Sequence, residues 1–504
     1  MSTAREHELD AESVLHALQG MGVDVRALCV DSRLVKAGDV FLAMPGHAAD
    51  GRNYIAQAID AGASAVVWHS EGFVWAEPRE IANIGVPNLS AIAGTLAHLV
   101  YGRPTTSLWT VGVTGTNGKT SVSQWIARAL NEAGRKCAVV GTLGEGFPGA
   151  LAPTRNTTPD AISLHGALAR FVDAGAQAVA MEVSSIGLDQ GRVEGVHFDV
   201  AVFTNLTRDH LDYHQSMEAY GAAKAKLFAM PGLKYAVINL DDEFGLALAK
   251  SLAGRVDRIG YTQQGAPFGP LVAERVIVAS RVDVSGAGLS FSVMVGDEEA
   301  QAHAYLAGQF NVSNLLAVIG TLIASGFSLE EAAQLTWNLT PPPGRMQLLG
   351  GVGEPLVVVD YAHTPDALES VLKALRPNAT ARGGKLKCVF GCGGERDPGK
   401  RSMMGEIASR LADEVIITSD NPRSEDPQRI IDAVRAGAMS SALSIVDRAE
   451  AIMTALAQAR ADDVVLLAGK GHETYQEMAG ARVPFSDLEV ARAGLRRWAE
   501  GVVS

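Results

Sequence analysis

LWTVGVTGTNGKTSVSQWIARAL, residues 108–130, runs three patterns together. Leu108 to Val113 is apolar and β-branched, the mark of a buried strand. Gly115, Gly118, Lys119 and Thr120 make a glycine-rich turn, and Val122, Trp125, Ile126, Ala129 and Leu130 then recur at the spacing of one helix face. In a strand–loop–helix unit the backbone N–H groups of such a turn wrap a phosphate, and the helix N-terminus adds partial positive charge. Lys119 would reach the β/γ-phosphates, and the Thr120 hydroxyl would ligate Mg²⁺. The pattern departs from G-x-x-x-x-G-K-[ST], because Val113 stands where the first glycine belongs and Gly112 lies one residue earlier. The flanking strand and helix carry the nucleotide-binding reading over that of an ordinary βα turn.

A chain of 504 residues exceeds what one core usually serves, so about three domains are expected. With 47% hydrophobic residues, 20% charged residues and 53 glycines, it reads as globular α/β with many tight turns. A formal charge of −13 argues against nucleic acid or an anionic membrane as partner, while a local basic pocket for phosphates stays open. The N-terminal MSTAREHELDAE has no apolar h-region, and no run of about eighteen apolar residues occurs, so a cytoplasmic protein is expected. Of the cysteines at 29, 137, 388 and 392, the last two lie four apart in a strand entering a loop. Fully extended, they would be separated by about 13 Å. They read as buried small apolar residues rather than a disulfide or a zinc site.

The first hundred residues mix short strands and helices and carry two polar loops, Asp31-Ser32-Arg33 and residues 46–52. A first boundary falls near Tyr101 to Pro104, giving a segment 1–104. From 105 to 340 one grammar repeats, an apolar strand ending in polar residues: Glu182-Val-Ser184-Ser185, Thr204-Asn205 through Arg208-Asp209-His210, and Asn239 to Asp242. Strands alternating with helices imply a parallel, doubly wound sheet whose carboxyl edge collects these clusters around the phosphate loop. Pro341 to Arg345 reads as a stiff linker, and 341–504 repeats the grammar with Asp360 to His363, 391–397, Asp420 to Arg423 and Gly469 to Glu473. This second doubly wound domain has no phosphate loop and is expected to supply a second substrate pocket. Glu182 is the natural Mg²⁺ ligand, against the plainer reading of a helix-capping acid. His210 and His214 stand at i, i+4 spacing, but HLDYH lacks the glutamate of H-E-x-x-H, which argues against zinc.

GTNGKT at 115–120, NTTP at 156–159, EVSS at 182–185, TNLTRDHLDYH at 204–214, DYAHTPD at 360–366, DNPR at 420–423 and GKGHE at 469–473 together resemble the Mur ligases of peptidoglycan synthesis, in order and over essentially the whole chain. The resemblance implies three domains: a smaller N-terminal α/β domain for a UDP-sugar (1–104), a central P-loop ATPase with a doubly wound sheet (105–340), and a C-terminal Rossmann-like domain for the incoming amino acid (341–504). It implies that Val30, Ser32 and the His47-Ala48-Ala49 loop hold the uridine diphosphate. Asn156, Thr157, Thr158, Ser184, Gln190 and Arg192 would line the muramoyl-dipeptide. Gly115, Thr116, Asn117, Gly118, Lys119, Thr120 and Ser121 would bind ATP, with Asn311, Arg345 and Asp360 near its adenine and ribose. Mg²⁺ would sit on Thr120, Glu182, His210 and a carbamate on Lys224, whose negative charge could hold a second ion that an ammonium would repel.

The implied reaction adds meso-2,6-diaminopimelate to UDP-N-acetylmuramoyl-L-Ala-D-Glu with ATP as co-substrate. The γ-carboxylate becomes an acyl phosphate, which the amine then attacks; Lys119, Lys224, His210 and Glu182 would be the catalytic set, and His363 is a weak candidate for the base. Arg396, Asp420, Asn421, Pro422, Arg423, Gly469 and Glu473 would hold the amino acid. Arg423 and Arg396 would grip its far carboxylate and Glu473 its ammonium. Lysine would leave the arginines buried and unpaired, a discrimination on the order of 10⁴. DNPR marks the diaminopimelate enzymes of the family. A monomer is expected, with hinges near 101–107 and 338–345. A lysine-adding sibling, a folylpolyglutamate synthase and a P-loop ATPase that joins nothing remain alternatives.

Overall fold

The computed structural model describes residues 10–46, 49–265, 272–285 and 288–501. By packing it divides into two units. One holds residues up to Val113, Gly134–Ala201 and Lys226–Lys234; the other holds Thr114–Ala133, Val202–Ala225 and the chain from Tyr235 onward.

The first unit opens with four parallel strands in chain order, Leu28–Cys29, Val40–Ala43, Ala65–His69 and Ala82–Val86. Val40 to Ala43 are all buried because the sheet is covered on both faces. Val40 and Leu42 pack with Val14, Leu18 and Leu96, and Phe41 and Ala43 with Ile55 and Ala58. That alternation is the strand period at work. Further along, Ala178–Glu182 lies between Trp109–Thr114 and Cys137–Gly141, all parallel, and Gly144–Phe147 and Ala150–Ala152 add an antiparallel edge.

In the second unit Tyr235–Asn239, Asp257–Thr262 and Arg275–Ser285 pair in parallel, and then Gly288–Val295 and Glu298–Ala304 turn back antiparallel. The parallel sheet expected from the strand–helix grammar therefore carries antiparallel edges. The reason is local: only Gly296 and Asp297 separate the last two strands, and Gly296 takes φ 59°. A two-residue turn permits a hairpin but no crossover helix.

Six strands follow in the order Gln347–Gly350, Leu356–Asp360, Val464–Ala468, Leu386–Phe390, Glu414–Ile417 and Leu443–Ser444, parallel except the first. Val358, Leu466 and Phe390 pack on one face with Leu372 and Met404; Val359, Leu467 and Val389 pack on the other with Ile452 and Leu495. Helices on both faces make this a doubly wound, Rossmann-like sheet. Arg448, wholly buried, pairs with Asp487 at 2.7 Å and donates to the carbonyls of Ser419 and Ala468, so the strand ends that carry Asp420 and Gly469 share one anchor. Cys388 and Cys392 are buried and form no disulfide, as their spacing implied, and Cys137 is buried as well. Among the described residues no helix is long and apolar enough to cross a membrane.

Candidate active site

The phosphate loop is held ready by the segment 204–207. Asn117 N donates to Asn205 Oδ1 (2.9 Å), Thr116 N to the Asn205 carbonyl (2.8 Å), and Thr207 N to Thr116 Oγ1 (3.0 Å). Gly115 takes φ 144° and Gly118 φ 88°; a Cβ on the first would overlap Thr204 Oγ1, and one on the second would lie 2.5 Å from Asn314 Oδ1. Both positions need glycine for conformation and for space. Helix Lys119–Glu132 starts directly after Gly118. Lys119 Nζ folds back onto the carbonyls of Gly115 (2.9 Å) and Thr116 (2.8 Å), and Lys224 Nζ donates to the same Gly115 carbonyl (2.7 Å). Lys224 is 1% exposed. Burial, then the charge of Lys119, holds its amine well below the ordinary lysine range, which favours the uncharged form.

The linker expected near 341–345 delivers Arg345 to this loop: Nη2 donates to Thr120 Oγ1 (2.9 Å), and the guanidinium lies 4.4 Å over the Tyr361 ring. Asp360 accepts from Met346 N (2.7 Å) and Ala362 N (2.8 Å), and burial raises its carboxyl against the opposing pull of Arg345. Asn311 and Asn314 are joined at 3.0 Å behind Gly118, and Ser121 is buried.

His210 takes φ 54° at the start of a short helix, Leu211–His214. Burial first, then the charge of Lys119, pushes its imidazole down to about 4, against the pull of Asp209. A neutral ring is the form that ligates metal. The His214 ring lies 5.2 Å from that of Tyr220, tilted by 35°. Among the described residues no three His, Cys, Asp or Glu side chains converge as a metal site. The Thr120 hydroxyl and neutral His210 are suitable donors for Mg²⁺, whose octahedral shell would then be completed by phosphate oxygens and water.

Sequence reasoning singled out His210 and passed over its neighbour. Asp209, 5% exposed, meets His210 Nε2 and Lys400 Nζ at 3.5 Å each and His363 Nε2 at 3.6 Å. Burial opposes its ionisation, but the bond to His363 and the charge of Lys400 hold its carboxyl well below the usual range.

In the first unit Glu182 ends its strand wholly buried, accepting from Thr142 N (2.8 Å) and Thr142 Oγ1 (3.1 Å). It caps no helix; Ser184 does, accepting from Gly187 N. Thr157 meets Thr142 at 3.1 Å, Thr158 donates to the Glu182 carbonyl (2.9 Å) and to Ser184 Oγ (3.2 Å), and Arg192 donates to the Thr158 carbonyl and to Gln190. The expected residues Thr157, Thr158, Glu182, Ser184, Gln190 and Arg192 are thus one network, with Thr142 as the member that sequence reasoning missed. Asn156 and Ala49 are exposed, Val30 is half-buried, and Ser32 donates to Gln57 (3.0 Å). His47 and Ala48 lie outside the described residues. Asp31 pairs with Arg33 (2.7 Å) and with Arg155 (3.3 Å), beside the NTTP motif.

In the C-terminal sheet Lys470, wholly buried, donates to Asn421 Oδ1 (2.9 Å) and Glu473 Oε2 (2.7 Å), and Asn421 Nδ2 donates to the same oxygen (2.9 Å). Arg423 takes φ 53°, fixed by backbone bonds with Glu477 and Ala479. Its Nη1 donates to the Gly394 carbonyl (2.6 Å), and its Nε lies 3.5 Å from Glu477 Oε2. A Cβ on Gly393 would touch Arg423 Nη1 at 3.0 Å and Arg396 Cγ at 3.7 Å, so the two arginines flank one glycine. Asp420 and Pro422 complete the rim, and Gly469 (φ 116°) backs onto the Asp420 carboxylate. Contrary to the expectation that lysine would leave both arginines buried and unpaired, Arg423 has partners in its own chain and Arg396 is exposed. Glu477, four residues past Glu473, has no strand-end signature to announce it.

Residues 24–101 match the model of the Mur ligase family catalytic domain, 113–322 the Mur ligase middle domain and 344–471 the Mur ligase glutamate ligase domain. The chain is 50% identical over 485 residues to the UDP-N-acetylmuramoyl-L-alanyl-D-glutamate--2,6-diaminopimelate ligase of Chromobacterium violaceum, covering 95% of this chain and 96% of that one. It is 51% identical over 477 residues to the protein of the same name from Pseudomonas aeruginosa, covering 94% and 96%. A solved structure of a ligase of that name superposes with TM-score 0.64 at 37% identity, over 94% and 95% of the two chains. MurF from Thermotoga maritima in complex with ADP, at 18% identity and TM-score 0.66 over 95% and 98%, shares the fold. With three family models in the family's order and half the residues shared along nearly the full length of its relatives, the chain belongs to the Mur ligase family.

Proposed function

We propose that this protein is an ATP-dependent, ADP-forming ligase that adds meso-2,6-diaminopimelate to the D-Glu γ-carboxylate of UDP-N-acetylmuramoyl-L-Ala-D-Glu, a cytoplasmic step of peptidoglycan precursor synthesis. The observation that carries the amino-acid assignment is two chemistries on neighbouring strand-end loops: the Arg423 guanidinium beside Gly393, where Arg396 also packs, and the carboxylate of Glu473 held by Lys470 and Asn421. Oε2 of Glu473 takes both of those bonds, which leaves Oε1 for the ammonium at the far end of the ligand. A ligand bearing carboxylate and ammonium at that end satisfies both; lysine satisfies one.

Each residue's work follows from its chemistry. Backbone N–H groups of 115–120 bind the ATP phosphates, and Lys119 swings from the loop carbonyls onto the β/γ-phosphates as they arrive. Asn311 and Asp360 serve adenine and ribose, whereas Arg345, expected with them, lies over Tyr361 and against Thr120 and so adds a second cation toward the transferring phosphoryl. Thr120, Glu182, His210 and a carbamate of Lys224 are the residues that would hold Mg²⁺, whose charge would offset that of the phosphoryl group. The uncharged Lys224 amine is the form that adds CO₂. Val30, Ser32 and residues 47–49 serve the uridine diphosphate, and Asn156, Thr157, Thr158, Ser184, Gln190 and Arg192 the muramoyl-dipeptide. Domains of 1–104, 105–340 and 341–504, and a monomer, complete the proposal.

The test is phosphate release from Mg-ATP and UDP-N-acetylmuramoyl-L-Ala-D-Glu with diaminopimelate, L-lysine or no amino acid. Release driven by diaminopimelate supports the proposal. Release with lysine alone replaces the amino acid, and release with neither returns the chain to a simple ATPase.

A further inference from the structure

Two ion pairs of opposite polarity join the segment that carries His210 to the segment that carries Arg396. Arg208 forks onto Asp397, Nε to Oδ2 at 2.8 Å and Nη2 to Oδ1 at 3.1 Å, while the next residue, Asp209, meets Lys400 Nζ at 3.5 Å. Asp397, Lys400 and Asp209 are 5%, 4% and 5% exposed. Gly399 N donates to Asp397 Oδ1 (2.9 Å), and a Cβ at Gly399 would overlap Arg208 Nη2, so the backbone leaves room for the fork.

The far side of 393–401 is bonded into the amino-acid pocket. Arg423 Nη1 donates to the Gly394 carbonyl, Gly394 N to the Asn421 carbonyl (2.9 Å), and Arg401 Nη2 to both oxygens of Glu425 (2.8 and 2.9 Å). A continuous set of polar contacts thus runs from Asn421 and Arg423 through 394–400 to Arg208 and Asp209. There the neighbouring residue is His210, and Thr207 N holds Thr116 of the phosphate loop. The charge order is complementary, plus–minus at 208–209 against minus at 397 and plus at 400, so a slip would set like charges together.

We propose that Arg208–Asp397 and Asp209–Lys400 form a latch that fixes the amino-acid pocket in register with the phosphate loop, so that the incoming amine meets the activated carboxyl. These are positioning residues; none is required to touch substrate. The inference rests on the ligase reading for its kinetic arm alone. A latch of this kind acts on turnover more than on nucleotide affinity, because misplacing one reactant by about 1 Å costs on the order of 10²-fold.

The experiment compares Arg208→Ala, Asp397→Asn and the charge swap Arg208→Asp/Asp397→Arg in the full-length protein. Each single variant is expected to lose about 10²-fold in kcat for amide formation. ATP affinity should stay within about twofold, and the swap should recover at least about tenfold of the loss. Single variants with wild-type turnover, or a swap worse than both of them, would overturn the latch. Arg208→Lys and Asp397→Glu, which keep charge but alter the fork, should fall between wild type and the Ala and Asn variants; if they are as inactive as those, with unfolding temperatures equally lowered, the role is structural and the proposal fails. Hydrogen exchange with Mg-AMPPNP is the second arm. Arg208→Ala should speed exchange in 393–401 and leave 448–457 unchanged, and no change in 393–401 overturns the latch. If the wild type adds no diaminopimelate, the ligase reading fails while this second arm still decides the latch.

Discussion

Replacing Arg423 with asparagine separates recognition of the amino acid from everything else in the pocket. Asparagine tolerates the left-handed conformation that the backbone bonds to Glu477 and Ala479 impose, so the change removes the guanidinium with little added strain. Two charge-assisted bonds to a ligand carboxylate are worth about 3–6 kcal/mol together. With lysine bound, Arg423 would keep the Gly394 carbonyl and its place 3.5 Å from Glu477, whose side chain is 31% exposed. A pair with that much solvent access returns about 0–1 kcal/mol. Less that return, the loss is about 2–6 kcal/mol; its lower half, about 3 kcal/mol, is on the order of 10² in kcat/KM, and it reaches the 10⁴ expected for an arginine left unpaired only at its top. Phosphate release, with product mass checked, should show Arg423→Asn reducing kcat/KM for diaminopimelate by about 10², lysine changing by less than about threefold and the KM for ATP holding. Equal losses for both amino acids would mean that the loop had collapsed. A diaminopimelate value within about threefold of wild type would refute the recognition argument.

Lys224→Arg should abolish turnover while leaving nucleotide binding, since a guanidinium stays charged and cannot add CO₂; ¹³C-bicarbonate NMR should show a carbamate signal in the wild type that the variant lacks. Gly115→Ala should eliminate ATP binding by calorimetry, because its Cβ meets Thr204 Oγ1 at φ 144°. Acid should weaken the fold through His98 and His165, whose rings lie 5.2 Å apart and which burial pushes down to about 4. Their unfolded forms titrate near 6.5, so the unfolded chain binds more protons between those values and stability falls as pH drops from about 6.5 to 4. Thermal melts of His165→Gln should show a shallower decline across that window.

The strand–loop–helix at 108–130 and the strand-end clusters were legible because periodicity and glycine placement are local properties. Lys119 and Thr120 follow the glycine-rich turn for the same reason, whereas Arg345, expected near adenine and ribose, meets Thr120 only through the fold. The hairpins over 275–304 carried a signal too, in Gly296-Asp297, but two-residue turns compete poorly for notice with a strand–helix rhythm. Asp209, Thr142, Lys400 and Glu477 were not legible in their roles, since each acts through a partner far away in the chain.

Sequence alone determined the family, the strand–loop–helix at 108–130 and the doubly wound sheets, because motif spacing and apolar period need no knowledge of distant contacts. Tertiary structure alone decided which charges pair: that Arg423 rests on Glu477 and Gly394, that Thr142 holds Glu182, and that Arg208 and Asp209 grip Asp397 and Lys400. Coulomb energy and hydrogen bonding depend on separations of a few ångströms between groups up to 191 residues apart, counting from Asp209 to Lys400, and only the folded chain sets those separations.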